Sequence, residues 1–151
     1  MEARSAEGVP VGAAVAALPV EHPREFATAL GRITREIWGP PGLPQQRGRA
    51  WLPSFACPMT RNALETLLRG DVAASAALLV VPHTCDSMQA LASQVMDLGA
   101  GGIPAVTFYH PRTLDAGARA GFLRDELRRF RTEMERLLGP VAKEPRGSAA
   151  R

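Results

Sequence analysis

The two segments that hold the cysteines share one layout, and that layout limits the folds open to the chain. Cys57 lies in segment 55–58 and Cys85 in segment 80–89, and each follows a short apolar run and precedes a helical pattern. A repeated strand, cysteine and helix is typical of a parallel α/β sheet. Because the carboxyl ends of successive parallel strands meet at one edge of the sheet, we expect the two thiols to converge there.

Apolar periodicity extends this layout over most of the chain. Residues at helical spacing predict four helices, over 23–37, over 58–69, from Asp86 or Ser87 to just before Gly99, and over 116–138. Short apolar runs predict three strands, over 49–52, 77–81 and 103–108. The first helix is indicated by four apolar positions on one face, Phe26, Leu30, Ile33 and Ile37.

The predicted order α-β-α-β-α-β-α favours an α/β fold, a Rossmann-like three-layer domain with a short parallel sheet flanked by helices. We expect this domain to occupy residues 23–139, after an irregular lead-in over 1–22 and before a disordered tail over 140–151. The glycine cluster at 99–102 ends a helix instead of opening one. The sequence therefore lacks the glycine fingerprint of a dinucleotide site.

Composition and charge argue against nucleic-acid and membrane binding. The net charge is +3, but Lys143 is the only lysine and the arginines alternate with acids along the predicted helices. Aromatic residues make up 5% of the chain, too few for a basic surface on which bases stack. No apolar run approaches the ~20 residues of a membrane span, and no secretory signal stands out. We expect a cytoplasmic protein with neither nucleic acid nor membrane as a partner.

Both cysteines directly precede predicted helices. Unpaired backbone amides and the helix dipole favour negative charge there, which lowers the pKa of a thiol and favours the thiolate that binds metal. Two thiolates at neighbouring strand ends fit iron–sulfur ligation. The alternative is that both cysteines are small core residues. The spacing leaves both interpretations open, because half of a usual ligand set is missing.

Residues near each cysteine also have more than one interpretation. The sequence allows three roles for His83: a metal ligand, a proton donor, or a strand-end residue satisfied by hydrogen bonds. We expect it to be a poor third metal ligand beside the two cysteines. Asp86 or Ser87 is expected to cap the following helix, and Asp86 is expected to be a cap rather than an acid. Arg61 and Asn62 follow the first cysteine by one helical turn and face either the site or solvent.

Several stretches around the cysteines carry a family resemblance. Residues 52–58 read Leu-Pro-Ser-Phe-Ala-Cys-Pro, residues 61–64 Arg-Asn-Ala-Leu, residues 68–71 Leu-Arg-Gly-Asp, and residues 81–89 Val-Pro-His-Thr-Cys-Asp-Ser-Met-Gln. Together with segment 122–127, these stretches resemble the 2-hydroxyacyl-CoA dehydratase and benzoyl-CoA reductase family, of the 2-hydroxyglutaryl-CoA dehydratase D-component type. The resemblance covers roughly residues 52–138, the first Rossmann-like domain, and His-Thr-Cys-Asp is its most specific part.

The resemblance implies a 4Fe-4S cluster held by cysteines at strand ends. Cys57 and Cys85 match two ligand positions, with His83, Thr84 and Asp86 as neighbours. It also implies one-electron reduction of an acyl-CoA thioester, with the electron supplied by a separate ATP-dependent activator protein. Family subunits are longer than this chain, so the remaining ligands are expected from a second dehydratase or reductase subunit or from a missing C-terminal half.

We therefore expect a cluster-binding domain or truncated subunit of such an enzyme, inactive by itself, whose cluster is shared with or completed by another polypeptide. The alternative is a non-catalytic remnant that keeps the fold and acts as an interaction or scaffold module. A thiol enzyme that uses Cys85 with His83 is a third and weaker interpretation. Catalytic residues stay unassigned.

Overall fold

The computed structural model describes residues 14–99 and 101–139. Within this part of the chain, four strands form one parallel sheet in the order β2-β1-β3-β4. The strands are β1 (Ala14–Ala17), β2 (Ile33–Glu36), β3 (Ala76–His83) and β4 (Ala105–Tyr109). The helices are α1 (Glu25–Ala29), α2 (Gln46–Trp51), α3 (Pro58–Leu68), α4 (Asp86–Leu98) and α5 (Ala116–Leu138). This arrangement confirms the α/β fold with helices on both faces of a short parallel sheet.

The hydrophobic cores on both faces of the sheet are built on β3, which lies between β1 and β4. Successive side chains of a strand point to opposite faces. Leu79 and Val81 pack with side chains of α3 and α4, whereas Leu78 and Val80 pack with those of α1 and α5. All four are at most 1% exposed. The continuous apolar run that predicts a strand buried on both faces is confirmed.

The C-terminal half follows the predicted order closely. α3 and α4 match the second and third predicted helices, and α5 has the predicted bounds. Gly99 ends α4 with φ +64, a left-handed backbone that glycine adopts without strain. No helix in the described ranges combines the length and apolar character that crossing a membrane requires.

The first strand lies in a segment that the sequence predicts to be irregular. β1 occupies residues 14–17, and each of its residues is at most 2% exposed. It consists of three alanines and one valine, which give no periodic signal, yet it pairs with both β2 and β3. The expected lead-in is therefore wrong for these residues. Its first part, residues 1–13, and the predicted tail over 140–151 lie outside the described residues.

The helix predicted over 23–37 is also wrong, because α1 is followed there by a turn and by β2. Gly31 has φ +66 in this turn, and parallel pairing with β1 holds the next residues extended. Ile33 is 49% exposed on the edge strand, and Ile37 packs in the core on the α3 side. Phe26 packs in the opposite core. Tertiary pairing, rather than the helical spacing of these residues, decides the structure.

The strand predicted over 49–52 is wrong, because most of this segment belongs to α2. The backbone N–H groups of Arg47 and Gly48 both donate to a carboxylate oxygen of Glu65 in α3, at 3.0 Å each. Glu65 is 4% exposed, and these bonds satisfy a buried charge. A Cβ on Gly48 would lie 2.8 Å from the carbonyl oxygen of Arg61. The close packing of α2 on α3 therefore overrides the short apolar run.

Side chains of α5 cover one edge of the sheet. The N–H of Tyr109 in the edge strand β4 donates to Glu126 at 2.8 Å, and Arg129 donates to the carbonyl oxygen of Thr107 at 2.5 Å. Glu126 and Arg129 also bind each other at 2.6 Å. Unpaired edge groups invite pairing with other strands, so these two side chains protect the edge and fix β4 against α5.

Gly48→Ala tests the close approach of α2 to α3. The added methyl group meets the Arg61 carbonyl oxygen, so we expect a net loss of about 1–3 kcal/mol in the free energy of unfolding, measured in urea. Gly121→Ala is the control, because a Cβ there meets no described residue outside its own helix within 4 Å. It should stabilise α5 by up to about 1 kcal/mol. Equal stabilisation by both substitutions would contradict the packing.

Candidate functional site

Cys57 begins helix α3, as the sequence predicts. It is the N-cap residue, with an extended backbone, and Pro58 is the first helical residue. Its Sγ lies 2.9 Å from the hydroxyl oxygen of Thr60 and accepts the Thr60 N–H at 3.4 Å. The sulfur therefore takes the place of the oxygen that normally caps a helix.

The surroundings of Cys57 favour its thiolate. Burial is the largest influence and by itself raises the pKa of the Cys57 thiol. Hydrogen bonds from the Thr60 hydroxyl and N–H, the Ser87 hydroxyl and the Met59 N–H together outweigh it and hold the pKa below its ordinary value. Because the thiolate is the form that binds metal or attacks an electrophile, Cys57 is prepared for either role.

Cys85 is the N-cap residue of α4 and is exposed. No side chain caps this helix in the described part of the chain, so the prediction that Asp86 or Ser87 caps it is wrong. Asp86 is the first helical residue, where a carboxylate favours the helix dipole. Ser87 instead accepts the backbone N–H of Cys57 at 3.1 Å.

The hydrogen bond between Cys57 and Ser87 joins the two cysteine segments. It connects the first residue before α3 to the first turn of α4, at the edge of the sheet where β3 ends. The two segments therefore lie side by side, and the convergence of the two thiols themselves stays a prediction. Sequence reasoning missed this role of Ser87, although its place two residues after Cys85 was the available signal.

His83 is the last residue of β3 and lies opposite Tyr109 of β4. The two rings are tilted, with centroids 4.7 Å apart. Burial, and then the positive charge of Arg112, lower the pKa of His83. Within the described residues Cys85 has no hydrogen bond to His83, so the geometry gives the thiol-enzyme interpretation no support.

Arg112, in the loop after β4, was not singled out from the sequence. Its guanidinium donates to the carbonyl oxygen of Thr84 at 3.0 Å, the residue directly before Cys85. Arg61 makes a similar bond to the carbonyl oxygen of Ser54 at 3.0 Å, ahead of Cys57. Asn62 bonds the side chain of Gln45 instead. Arg112 therefore ties the Cys85 segment to the loop after β4, whereas Arg61 holds the Cys57 segment from within α3.

The candidate metal donors at this edge are the thiols of Cys57 and Cys85. Among residues 14–99 and 101–139, no group of three or more histidines, cysteines or carboxylates is placed to hold a metal ion. The described residues therefore do not form a complete metal site by themselves.

Comparison with known proteins identifies similar sequences over most of the chain. The family model described as 2-hydroxyglutaryl-CoA dehydratase, D-component, matches residues 19–146. The chain is 30% identical over 129 residues to lactoyl-CoA dehydratase subunit beta of Anaerotignum propionicum, which is 83% of this chain and 32% of that subunit. It is 24% identical over 126 residues to (R)-2-hydroxyglutaryl-CoA dehydratase subunit beta of Acidaminococcus fermentans, which is 83% of this chain and 33% of that subunit. The chain spans about a third of the length of these relatives.

Thr60→Val tests the hydrogen bonds that lower the Cys57 pKa. It is made in a Cys85→Ala background, so that Cys57 is the only thiol. A hydrogen bond to the thiolate stabilises its negative charge, so we expect loss of the Thr60 hydroxyl to raise the pKa of Cys57. The pH midpoint of alkylation by iodoacetamide should rise equally, because the thiolate is the reacting form.

Thr66→Val in the same background is the matched control. Thr66 lies in the same helix, but its hydroxyl donates to the carbonyl oxygen of Asn62 at 2.9 Å and does not reach the sulfur. The alkylation midpoint should then stay at the value of the parent variant. An unshifted midpoint in Thr60→Val, or equal shifts in both variants, would contradict the assigned hydrogen bond.

Proposed function

Since the chain belongs to the 2-hydroxyglutaryl-CoA dehydratase D-component family, we propose that it is the cluster-binding part of a 2-hydroxyacyl-CoA dehydratase- or benzoyl-CoA reductase-type enzyme. The observation that carries this proposal is the hydrogen bond between the Cys57 N–H and Ser87, which brings the two cysteine segments to one edge of the sheet. The acyl-CoA reduction itself belongs to the assembled enzyme in this proposal, because the chain spans only about a third of its relatives.

Cys57 and Cys85 would hold a 4Fe-4S cluster. Thiolate sulfur is the usual ligand of such a cluster, and the lowered pKa of Cys57 supports this donor. The exposure of Cys85 leaves room for a group that another polypeptide also contacts. When bound, the cluster supplies one-electron transfer at low potential to an acyl-CoA thioester.

The other residues of the site hold the thiols in place. Thr60 and Ser87 stabilise negative charge on Cys57, and Arg112 fixes the backbone before Cys85 through the Thr84 carbonyl. The His83 ring contacts the Tyr109 ring at a tilt, and it would shape the surroundings of the cluster beside the proposed ligands. His83, Thr84 and Asp86 are therefore proposed as neighbours rather than ligands.

The proposed partners follow from the donor count and from the relatives. A four-iron cluster held by two thiolates needs further ligands, which would come from another polypeptide, either a second subunit or sequence equivalent to the rest of the relatives. Both similar proteins are named as beta subunits, which supports a partner subunit. An ATP-dependent activator protein and an acyl-CoA substrate complete the proposal.

Anaerobic reconstitution with iron and sulfide tests the ligand assignment. We expect the isolated chain to bind iron weakly, with visible absorption that is largely lost on gel filtration, because two ligands leave half of the irons open to exchange. Cys57→Ala and Cys85→Ala should each abolish the bound iron. His83→Ala should change the reduction potential more than the iron content.

Ser93→Ala is the control, since Ser93 is an exposed residue of α4 away from its first turn, and its iron content should equal that of the wild type. A wild-type chain that stays colourless and iron-free would instead support the scaffold interpretation. A full four-iron complement that survives gel filtration without a partner would contradict the missing-ligand count.

A further inference from the structure

A cavity of about 480 Å³ lies beyond the ends of β3 and β4. It is formed mainly by the end of β4, the loop that follows it and the first turns of α5. Its size is that of a small-molecule site, and it opens at the carboxyl edge where parallel α/β folds bind ligands. The two cysteines are not among its lining residues.

The charged and titratable lining of the cavity is basic. Arg112, His83 and His110 line it, and among the described residues no carboxylate does. One nitrogen of Arg112 donates to Thr84, which leaves most of the five N–H donors of the guanidinium for a ligand. In the described part of the chain Arg112 has no carboxylate within ion-pair distance.

Two nearby carboxylates, those of Glu21 and Asp115, already have partners within the chain. Glu21 lies 3.7 Å from Nδ1 of His110, whose Nε2 contacts the Glu21 carbonyl oxygen at 2.6 Å. Asp115 accepts the N–H of Ala118 at 2.6 Å and thereby caps α5. His110 and the start of α5 are therefore partly satisfied within the chain, and Arg112 is left as the principal cation for a ligand.

The rest of the lining is largely apolar and aromatic. Phe122 is 46% exposed, although it is a large apolar side chain. Tyr109 is 37% exposed, and its ring contacts the tilted His83 ring and lies 5.4 Å from the guanidinium carbon of Arg129. A flat apolar group entering the cavity would cover both rings and bury apolar surface that is now in contact with water.

We propose that this cavity binds a small organic anion, with a carboxylate or phosphate on Arg112 and an apolar or aromatic body against Tyr109 and Phe122. A guanidinium binds either anion through paired hydrogen bonds. The two thiols do not line this site, so its occupation does not require a bound cluster, although His83 and Arg112 lie beside both.

Binding of phenylacetate and phenyl phosphate to the full chain tests the anion site. We expect dissociation constants on the order of millimolar for ligands of this size, measured by calorimetry or by NMR titration. Benzyl alcohol, which has the ring without the charge, and inorganic phosphate, which has the charge without the ring, should each bind at least about tenfold more weakly. The ratio of the first two constants distinguishes a carboxylate site from a phosphate site.

Arg112→Gln should raise the dissociation constants of both anions by about tenfold or more, as expected for the loss of a charge-assisted hydrogen bond. Arg47→Gln is the matched control and should bind as the wild type does. Arg47 is also exposed and also donates to a backbone carbonyl oxygen at 3.0 Å, but it lies in α2 outside the cavity. Phe122→Ala should weaken the binding of phenylacetate and phenyl phosphate. Because it alters an exposed side chain, it provides a second test if Arg112→Gln fails to fold.

Three results would overturn the anion site. The first is no binding of either aromatic anion at concentrations well above millimolar. The second is equal binding by wild type and Arg112→Gln, or equal losses in Arg112→Gln and Arg47→Gln. The third is inorganic phosphate binding as tightly as phenyl phosphate together with no effect of Phe122→Ala, which would exclude the apolar half of the site.

Discussion

Burial of β3 on both faces is the constraint on which the rest of the structure depends. Its odd-numbered residues Leu79 and Val81 pack under α3 and α4, and its even-numbered residues Leu78 and Val80 pack under α1 and α5. Shifting this strand by one residue would exchange the two sets of side chains. Because the strand cannot shift, its last residue and the turn that follows it are fixed relative to α3, β4 and the loop after β4.

The site uses that fixed edge to bring together groups from distant parts of the sequence. Cys57 reaches it through the packing of α2 and α3, and Ser87 reaches it through the first turn of α4. The hydrogen bonds that hold Cys57 also lower the pKa of its thiol, although burial opposes this. The start of α3 and the packing of α4 both place hydrogen-bond donors near the Cys57 sulfur and so lower the pKa of its thiol. Cluster ligation would use this lowered pKa, because the thiolate is the form that binds metal.

The sequence predicts the elements that carry a strong local pattern and misses those that do not. β3 is a long apolar run, and α3, α4 and α5 have clear helical spacing, so all four were predictable. β1 is made almost entirely of alanine, and β2 keeps its extended form through pairing with β1. Both cysteines could be placed from their flanking patterns, whereas the Thr60 and Ser87 contacts depend on how α3 and α4 are packed. The family was recognisable from its motif, because the His-Thr-Cys-Asp turn lies where no core packing dictates the residues.

Cross-linking with a short bifunctional maleimide tests most directly whether the two thiols share one edge of the fold. With one reagent molecule per chain, we expect an intramolecular adduct that consumes both thiols. Mass spectrometry of the digest should then show the peptide that contains Cys57 joined to the peptide that contains Cys85. Cys57→Ala and Cys85→Ala should each give only a single-ended adduct. Convergence would be contradicted if the wild-type chain gave only single-ended adducts on separate thiols under conditions in which both react.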